Sequence, residues 1–332
     1  MADGNQTEVY VYEQVVILLS CVLSFLGSLV IICSYATWGD LRTTPRKLLV
    51  FLSVADLLSA LSYFYGVVKV FNSNTKDCIA QGAISTFANT SSFFWTVAIA
   101  IYLYIFIVKS SQRLADSLVL YFHLISWGVP LSITVAALAL QKIGYDASEV
   151  SVGWCWVSIQ EEDHVLWMLL TGKIWEFLAY VTLPILYILI KRHIHKAHEA
   201  LSEYRPILAT SPTSQSLSTM ADRKLTLIPI IFIALRMWST IRFLLMLANS
   251  PARQNPVLVT LHGIGNTFQG AANCIMFVLC TRPVRARLVA LLCCRGRETQ
   301  SSSDTLSQHT AHTNTDRANS PRAWEKEGEE GD

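Results

Sequence analysis

The chain has 332 residues, 52% of them hydrophobic and only 15% charged, with a mean hydropathy of +0.39 and a formal net charge of +2. Soluble globular domains carry roughly 25% charge. So little charge, gathered between long apolar blocks, excludes a water-soluble fold and points to an all-α membrane protein, and nothing in the sequence points to nucleic acid as a partner.

A helix crossing the hydrocarbon core needs ~20 mostly apolar residues. Seven stretches meet this: 12–37, 48–71, 78–108, 118–140, 165–190, 225–247 and 257–279. The segment "NSPARQNP" separates the last two. The lengths and the lack of strict alternation favour helices over a barrel. Placing the N-terminus outside leaves sixteen Lys and Arg, from Arg42 to Arg297, in the cytoplasm, against Lys76, Lys142 and Arg253 outside. The expected architecture is an extracellular N-terminus (1–11), a seven-helix bundle (12–279), a membrane-surface helix (280–294) and a disordered cytoplasmic tail (295–332).

Residues 1–14 have acids and no basic n-region, so the first span is expected to serve as an uncleaved targeting signal. Asn5-Gln6-Thr7 is an external glycosylation sequon. Asp56 in span 2 lies about eight residues from the inner end, whereas Lys69 lies near the outer end. Cys78 opens span 3 and Cys155 lies in the loop after span 4. They are the only cysteines facing an oxidising compartment, which predicts a disulfide.

In span 5, Lys173 and Glu176 are i and i+3 and share a face. Glu176 and Arg236 of span 6 sit at matching depth, so an ion pair locking helices 5 and 6 is expected. Lys69, Lys173 and Arg242 then remain, with His262 at similar depth. Their surplus positive charge suits a small anionic ligand in an outer cavity; the alternative is that Lys69 and Arg242 snorkel to the headgroups.

Span 7 contains "NTFQGAANC", where Gln269 and Asn273 fall on one helical face. Buried amides must find partners inside the bundle. By residue count Asn273 and Asp56 differ in depth by only ~3 Å, which predicts a shared polar network. Past span 7, Arg285 and Arg287 flank a short apolar stripe ending in Cys293 and Cys294, the pattern of a surface helix held by palmitoylation.

Span 7 has no lysine for a retinal Schiff base, and His123, His164 and His262 are too scattered for a zinc site. No nucleophile–base constellation or phosphate loop occurs, so neither an enzyme nor a cofactor is expected. A transporter, or a structural seven-helix protein, is the competing class, though no internal repeat supports it.

Five stretches carry a resemblance. Phe268-Gln269-Gly270, "SWGVP" at 126–130, "FFW" at 93–95, Cys155-Trp156 and Lys224-Leu225-Thr226-Leu227-Ile228-Pro229 are similar to the corresponding segments of secretin-like G-protein-coupled receptors. The short N-terminus and "LSVADLLSALSY" at 52–63 look more like the slime-mould cyclic-AMP receptors related to that class. The resemblance implies a plasma-membrane receptor that passes an extracellular signal to a heterotrimeric G protein, through cyclic AMP or phospholipase C. It implies that Asp56, Phe268, Gln269, Gly270 and Asn273 form a switch or hinge, the alternative being interhelical glue. It also implies a G-protein cleft rimmed by Arg42, Lys47, Lys191, Arg192, Arg223 and Lys224, the alternative being that these grip anionic lipid.

Overall fold

The computed structural model describes residues 9–69, 71, 73–146, 150–160, 162–203, 228–281 and 284–290. Asn5, Arg223, Lys224, Cys293 and Cys294, to which the sequence assigns roles, lie outside the described residues. Two compact units are present, Met1–Val284 and Arg285–Asp332; the described part of the second, residues 285–290, is helical.

The first unit is a helix bundle. Its elements are α1 (Val11–Thr37), α2 (Thr44–Lys69), α3 (Lys76–Val108), α4 (Gln112–Ser117), α5 (Val119–Ala139), β1 (Ile143–Gly144), β2 (Trp156–Val157) and α6 (His164–Met168). A π turn, Leu169–Lys173, joins α6 to α7 (Ile174–Glu203), and α8 (Ile228–Leu247), α9 (Pro256–Thr267) and α10 (Gln269–Cys280) follow. Among the described residues, six helical rods are long and apolar enough to cross a membrane: Val11–Thr37, Thr44–Lys69, Lys76–Val108, Gln112–Ala139, His164–Ala197 and Ile228–Leu247. The seventh apolar run divides at Phe268 into two helices of twelve residues.

The packing is the reverse of a soluble protein. On α1 the buried face is small and polar, with Ser20, Ser24, Gly27 and Ser28, while Leu19, Leu23 and Leu26 are exposed. An apolar surface of this kind is stable only against lipid. The polar seam meets the seventh run directly: Thr267 donates to Ser20 Oγ at 2.7 Å, and the Gly270 amide donates to Ser24 Oγ at 2.9 Å. A Cβ on Gly270 would strike Ser24 and Ser28, so this close approach requires glycine.

Local chemistry sets the helix ends. Tyr10 and Glu13 form a capping box on α1, and the Thr75 hydroxyl accepts the Cys78 amide at 3.1 Å to cap α3. Pro130 in α5 and Pro184 in α7 remain inside their helices, as membrane helices tolerate. The sequence places Lys191 and Arg192 at the end of a span. The structure instead carries α7 on to Glu203, because "KRHIHKAHEALSE" has no Gly or Pro to stop a helix.

At one end of the bundle, Cys78 at the start of α3 is bonded to Cys155, with Cα atoms 5.5 Å apart. The α5–α6 connection is thereby held down on the bundle, helped by β1–β2 pairing (Ile143 opposite Val157) and by Gln81, which accepts the Cys155 amide at 2.8 Å. Val152 and Trp154 pack into a core with Ile17, Tyr63, Val67 and Val259. The loop is therefore a plug in the mouth of the bundle.

Candidate functional site

Beneath this plug lies a cavity lined by residues of α2, α3, the plug, the π turn, α7, α8 and α9. About 30 Å³ is open to the centres of water-sized molecules. One water needs roughly 10–15 Å³ on that measure, so the room amounts to a few heavy atoms. Val150, Ser151 and Trp154 form the roof, and Lys173, Glu176, Ser239, His262 and Asn266 supply most of the strongly polar wall.

Two side-chain chains meet there. In the first, Lys173 Nζ donates to Glu176 Oε2 at 2.9 Å and to Ser239 Oγ at 2.5 Å, while the Tyr180 hydroxyl donates to Glu176 Oε1 at 2.8 Å. Thr240 Oγ1 donates to the same carboxylate oxygen. All five residues are on the π turn, α7 or α8, which places a buried ion pair at that contact.

The second chain joins α8 to α9. Arg242 Nη1 donates to the plug carbonyls of Val150 and Ser151 at 3.1 and 2.9 Å, and lies 2.9 Å from His262 Nδ1. His262 Nε2 is 2.9 Å from Asn266 Nδ2, and Asn266 Oδ1 accepts from Arg236 Nη1 at 3.0 Å. Arg236 is 1% exposed, lies 4.9 Å above the Phe93 ring, and its Nε has no hydrogen-bond partner among the described residues.

The expected Glu176–Arg236 ion pair does not form; this is a correction. Glu176 lies level with Thr240, one helical turn beyond Arg236, and its carboxylate is taken by the nearer ammonium of Lys173. Arg236 turns instead toward Asn266 on α9. The surplus cation therefore differs from the expected one: Lys173 is paired, and Arg236 has no carboxylate in ion-pair range among the described residues. Lys69 is exposed, 4.0 Å from Asp77, and stands outside the cavity. Arg242 is fully buried on plug carbonyls and does not snorkel.

Deeper in the bundle, Asp56 of α2 accepts from Ser92 of α3 at 2.7 Å through Oδ1 and from Asn273 of α10 at 2.8 Å through Oδ2. Gln269 Nε2 donates to Asn273 Oδ1 at 3.3 Å. The structure thus brings Asp56 and Asn273 together at the depth their counts imply. Phe268 sits at the break between α9 and α10, with ψ near 1° instead of the helical value. Ser92 and Phe93 are neighbours in α3, so one helical turn touches both clusters.

Trp95 of "FFW" packs edge-on against Trp127 of "SWGVP" at 5.7 Å and stacks on Phe51 at 5.2 Å. Two of the quoted motifs are therefore one contact between α3 and α5. Arg42, Lys47, Lys191 and Arg192 are all exposed. Sequence reasoning missed three participants: Ser92, Asn266, and the plug residues Val150, Ser151 and Trp154. Asn266 was visible as an amide one turn from His262; the plug had no signal beyond its tether to Cys78.

The family profile "7 transmembrane receptor (Secretin family)" matches residues 7–272. The mouse protein named G-protein coupled receptor 157 is 63% identical, over 89% of this chain and 90% of its own. The human protein of that name is 64% identical, over 86% and 85%. The cyclic AMP receptor-like protein A of Dictyostelium discoideum is 29% identical over 43% of this chain and 36% of its own. The crystal structure of squid rhodopsin superposes with a TM-score of 0.64 over 93% of this chain and 95% of that one, at 14% identity, a likeness of fold alone. A match across most of the length, with relatives nearly two-thirds identical, establishes that the chain belongs to the secretin family of seven-transmembrane receptors.

Proposed function

We propose that the protein is a seven-span plasma-membrane receptor with its N-terminus outside, coupling occupancy of the cavity to a heterotrimeric G protein on the cytoplasmic face. The observation that carries this reading is Arg236. A guanidinium buried in mid-bundle without a carboxylate in ion-pair range costs several kcal/mol, and Arg236 bonds Asn266 on the neighbouring helix at the cavity wall, with Tyr63 of α2 as a further partner. Such a group makes the position of α8 depend on what the cavity contains. A bundle helix whose packing responds to a ligand is a two-state element.

In this reading Lys173, Glu176, Arg242 and His262 serve the ligand pocket, while Lys69 lies too far out to take part. Asp56, Phe268, Gln269, Gly270 and Asn273 form the hinge, since the helix break at Phe268 supplies a joint beside the Asp56 network. Arg42, Lys47, Lys191, Arg192, Arg223 and Lys224 contact the G protein. Asn5 carries a glycan, and Cys293 and Cys294 carry palmitate. The output is cyclic AMP or phospholipase C signalling.

The test is a cell assay of cyclic AMP and inositol phosphate, normalised to surface receptor. Expression should raise one of the two messengers, and replacing Arg223 and Lys224 by alanine should lower that output with surface level unchanged. Neither messenger rising, with or without extracellular ligand candidates, would sink the reading.

A further inference from the structure

The polar chain of the cavity contains one donor too many. Its ends, Arg236 and Arg242, are guanidinium groups that only donate. Between them stand Asn266 and His262, and each offers this chain one donor and one acceptor. Beginning at Arg236, the sequence runs donor to Asn266 Oδ1, Asn266 Nδ2 to His262 Nε2, and then His262 Nδ1–H against Arg242 Nη1, donor against donor. Flipping the Asn266 amide moves the conflict to Arg236, and changing the neutral imidazole tautomer moves it to the Asn266–His262 contact. Protonating the ring makes it worse. No assignment of hydrogens satisfies all three contacts.

We infer that the cavity takes the carboxylate of a small acid, inserted between Asn266 and His262; this rests on the receptor reading above and names its ligand class. A carboxylate accepts only. Placed there it receives the Asn266 Nδ2–H and the His262 Nε2–H, leaving His262 Nδ1 to accept from Arg242 and Asn266 Oδ1 to accept from Arg236. Every side-chain contact then sets a donor against an acceptor, with Arg242 Nη1 sharing its two hydrogens among His262 Nδ1 and the Val150 and Ser151 carbonyls. The negative charge shares the cavity with the ammonium of Lys173 and is held by Asn266, which also accepts from the guanidinium of Arg236. The space for a few heavy atoms fits a carboxyl group, with any larger body reaching out past Trp154 and the plug. Charge and geometry favour a carboxylate over a neutral amide, which would bring a donor of its own, and over chloride, which has one centre for two divergent donors.

The experiment uses the full-length receptor in lipid nanodiscs, with melting followed as a function of sodium acetate, sodium chloride and acetamide at constant ionic strength. Acetate should raise the melting temperature by about 3–5 °C at saturation, and chloride and acetamide should leave it unmoved. Asn266→Asp places an isosteric carboxylate in the chain itself, so it should melt higher without acetate and gain nothing from it. Arg236→Gln, which can accept or donate, should also lose the acetate effect. Equal shifts with chloride, no shift with acetate, or an acetate shift that persists in Asn266→Asp would overturn the inference. Melting is read without a G protein, so a receptor that signals but shows no acetate shift rejects only the ligand class. An acetate shift in a receptor that never signals rejects the receptor reading instead.

Discussion

The two buried polar clusters are mismatched in opposite senses. Around Asp56, a single carboxylate accepts from two helices, and the chain ends on Gln269 Oε1, an acceptor without a donor among the described residues. Around His262 the chain is bounded by two guanidinium groups and has a donor without an acceptor. The difference separates two uses of polarity in a dry bundle. The first cluster binds α2, α3 and α10 into one unit, with every contact compatible. The second leaves α8 and α9 joined by a contact that no proton arrangement completes, and so stays open to an outside acceptor.

The comparison can be broken in several ways. The largest effect is expected from cutting the plug loose. The disulfide closes 77 residues, and its loss through Cys155→Ser should cost about 4 kcal/mol, read as a fall in surface expression and melting temperature. If the cavity cluster is held closed by the plug carbonyls on Arg242, acetate should bind this variant faster.

Next comes deletion within the clusters themselves. Asp56→Ala strands the donors of Ser92 and Asn273 and should destabilise by about 2–3 kcal/mol, whereas Arg236→Gln should cost nothing measurable or stabilise. Similar losses at both sites would remove the distinction. Gly270→Ala tests the seam behind the hinge. Its Cβ would meet the Ser24 carbonyl and two hydroxyls, which should cost about 1–2 kcal/mol and shift basal signalling without altering acetate binding.

The smallest effect is a control outside both clusters. Lys142 donates to Asp163 at 2.8 Å and holds that exposed carboxyl below the ordinary carboxylate range. A depressed folded-state value means a contribution present above the unfolded Asp pKa, near 4, and lost as pH falls through the folded value. Lys142→Gln should therefore lower the melting temperature slightly and uniformly between pH 5 and 8, and the two curves should converge as pH falls through the acid limb.

Much of this was legible in the sequence because a membrane span writes itself in hydrophobic length. The presence of six long helices and the meeting of Asp56 with Asn273 follow from residue counts along an axis, and the Cys78–Cys155 bond from which cysteines face outward. What the counts do not carry is azimuth. Glu176 and Arg236 match in nominal depth, yet a turn's difference and the nearness of Lys173 gave each another partner. The π turn at Leu169–Lys173 adds to the error, since it changes the advance per residue just before Glu176. The plug was illegible for another reason: an irregular loop has no period, and only its cysteine told where it is tied.

One substitution made at each cluster tests the central claim most directly. Asn273→Asp sets a second carboxylate against Asp56 and removes the donor that Asp56 accepts. Asn266→Asp supplies the acceptor that Arg236 and His262 lack. Measured in nanodiscs without added carboxylate, the melting temperature should fall for Asn273→Asp and rise for Asn266→Asp. Shifts of the same sign at both positions would contradict the account.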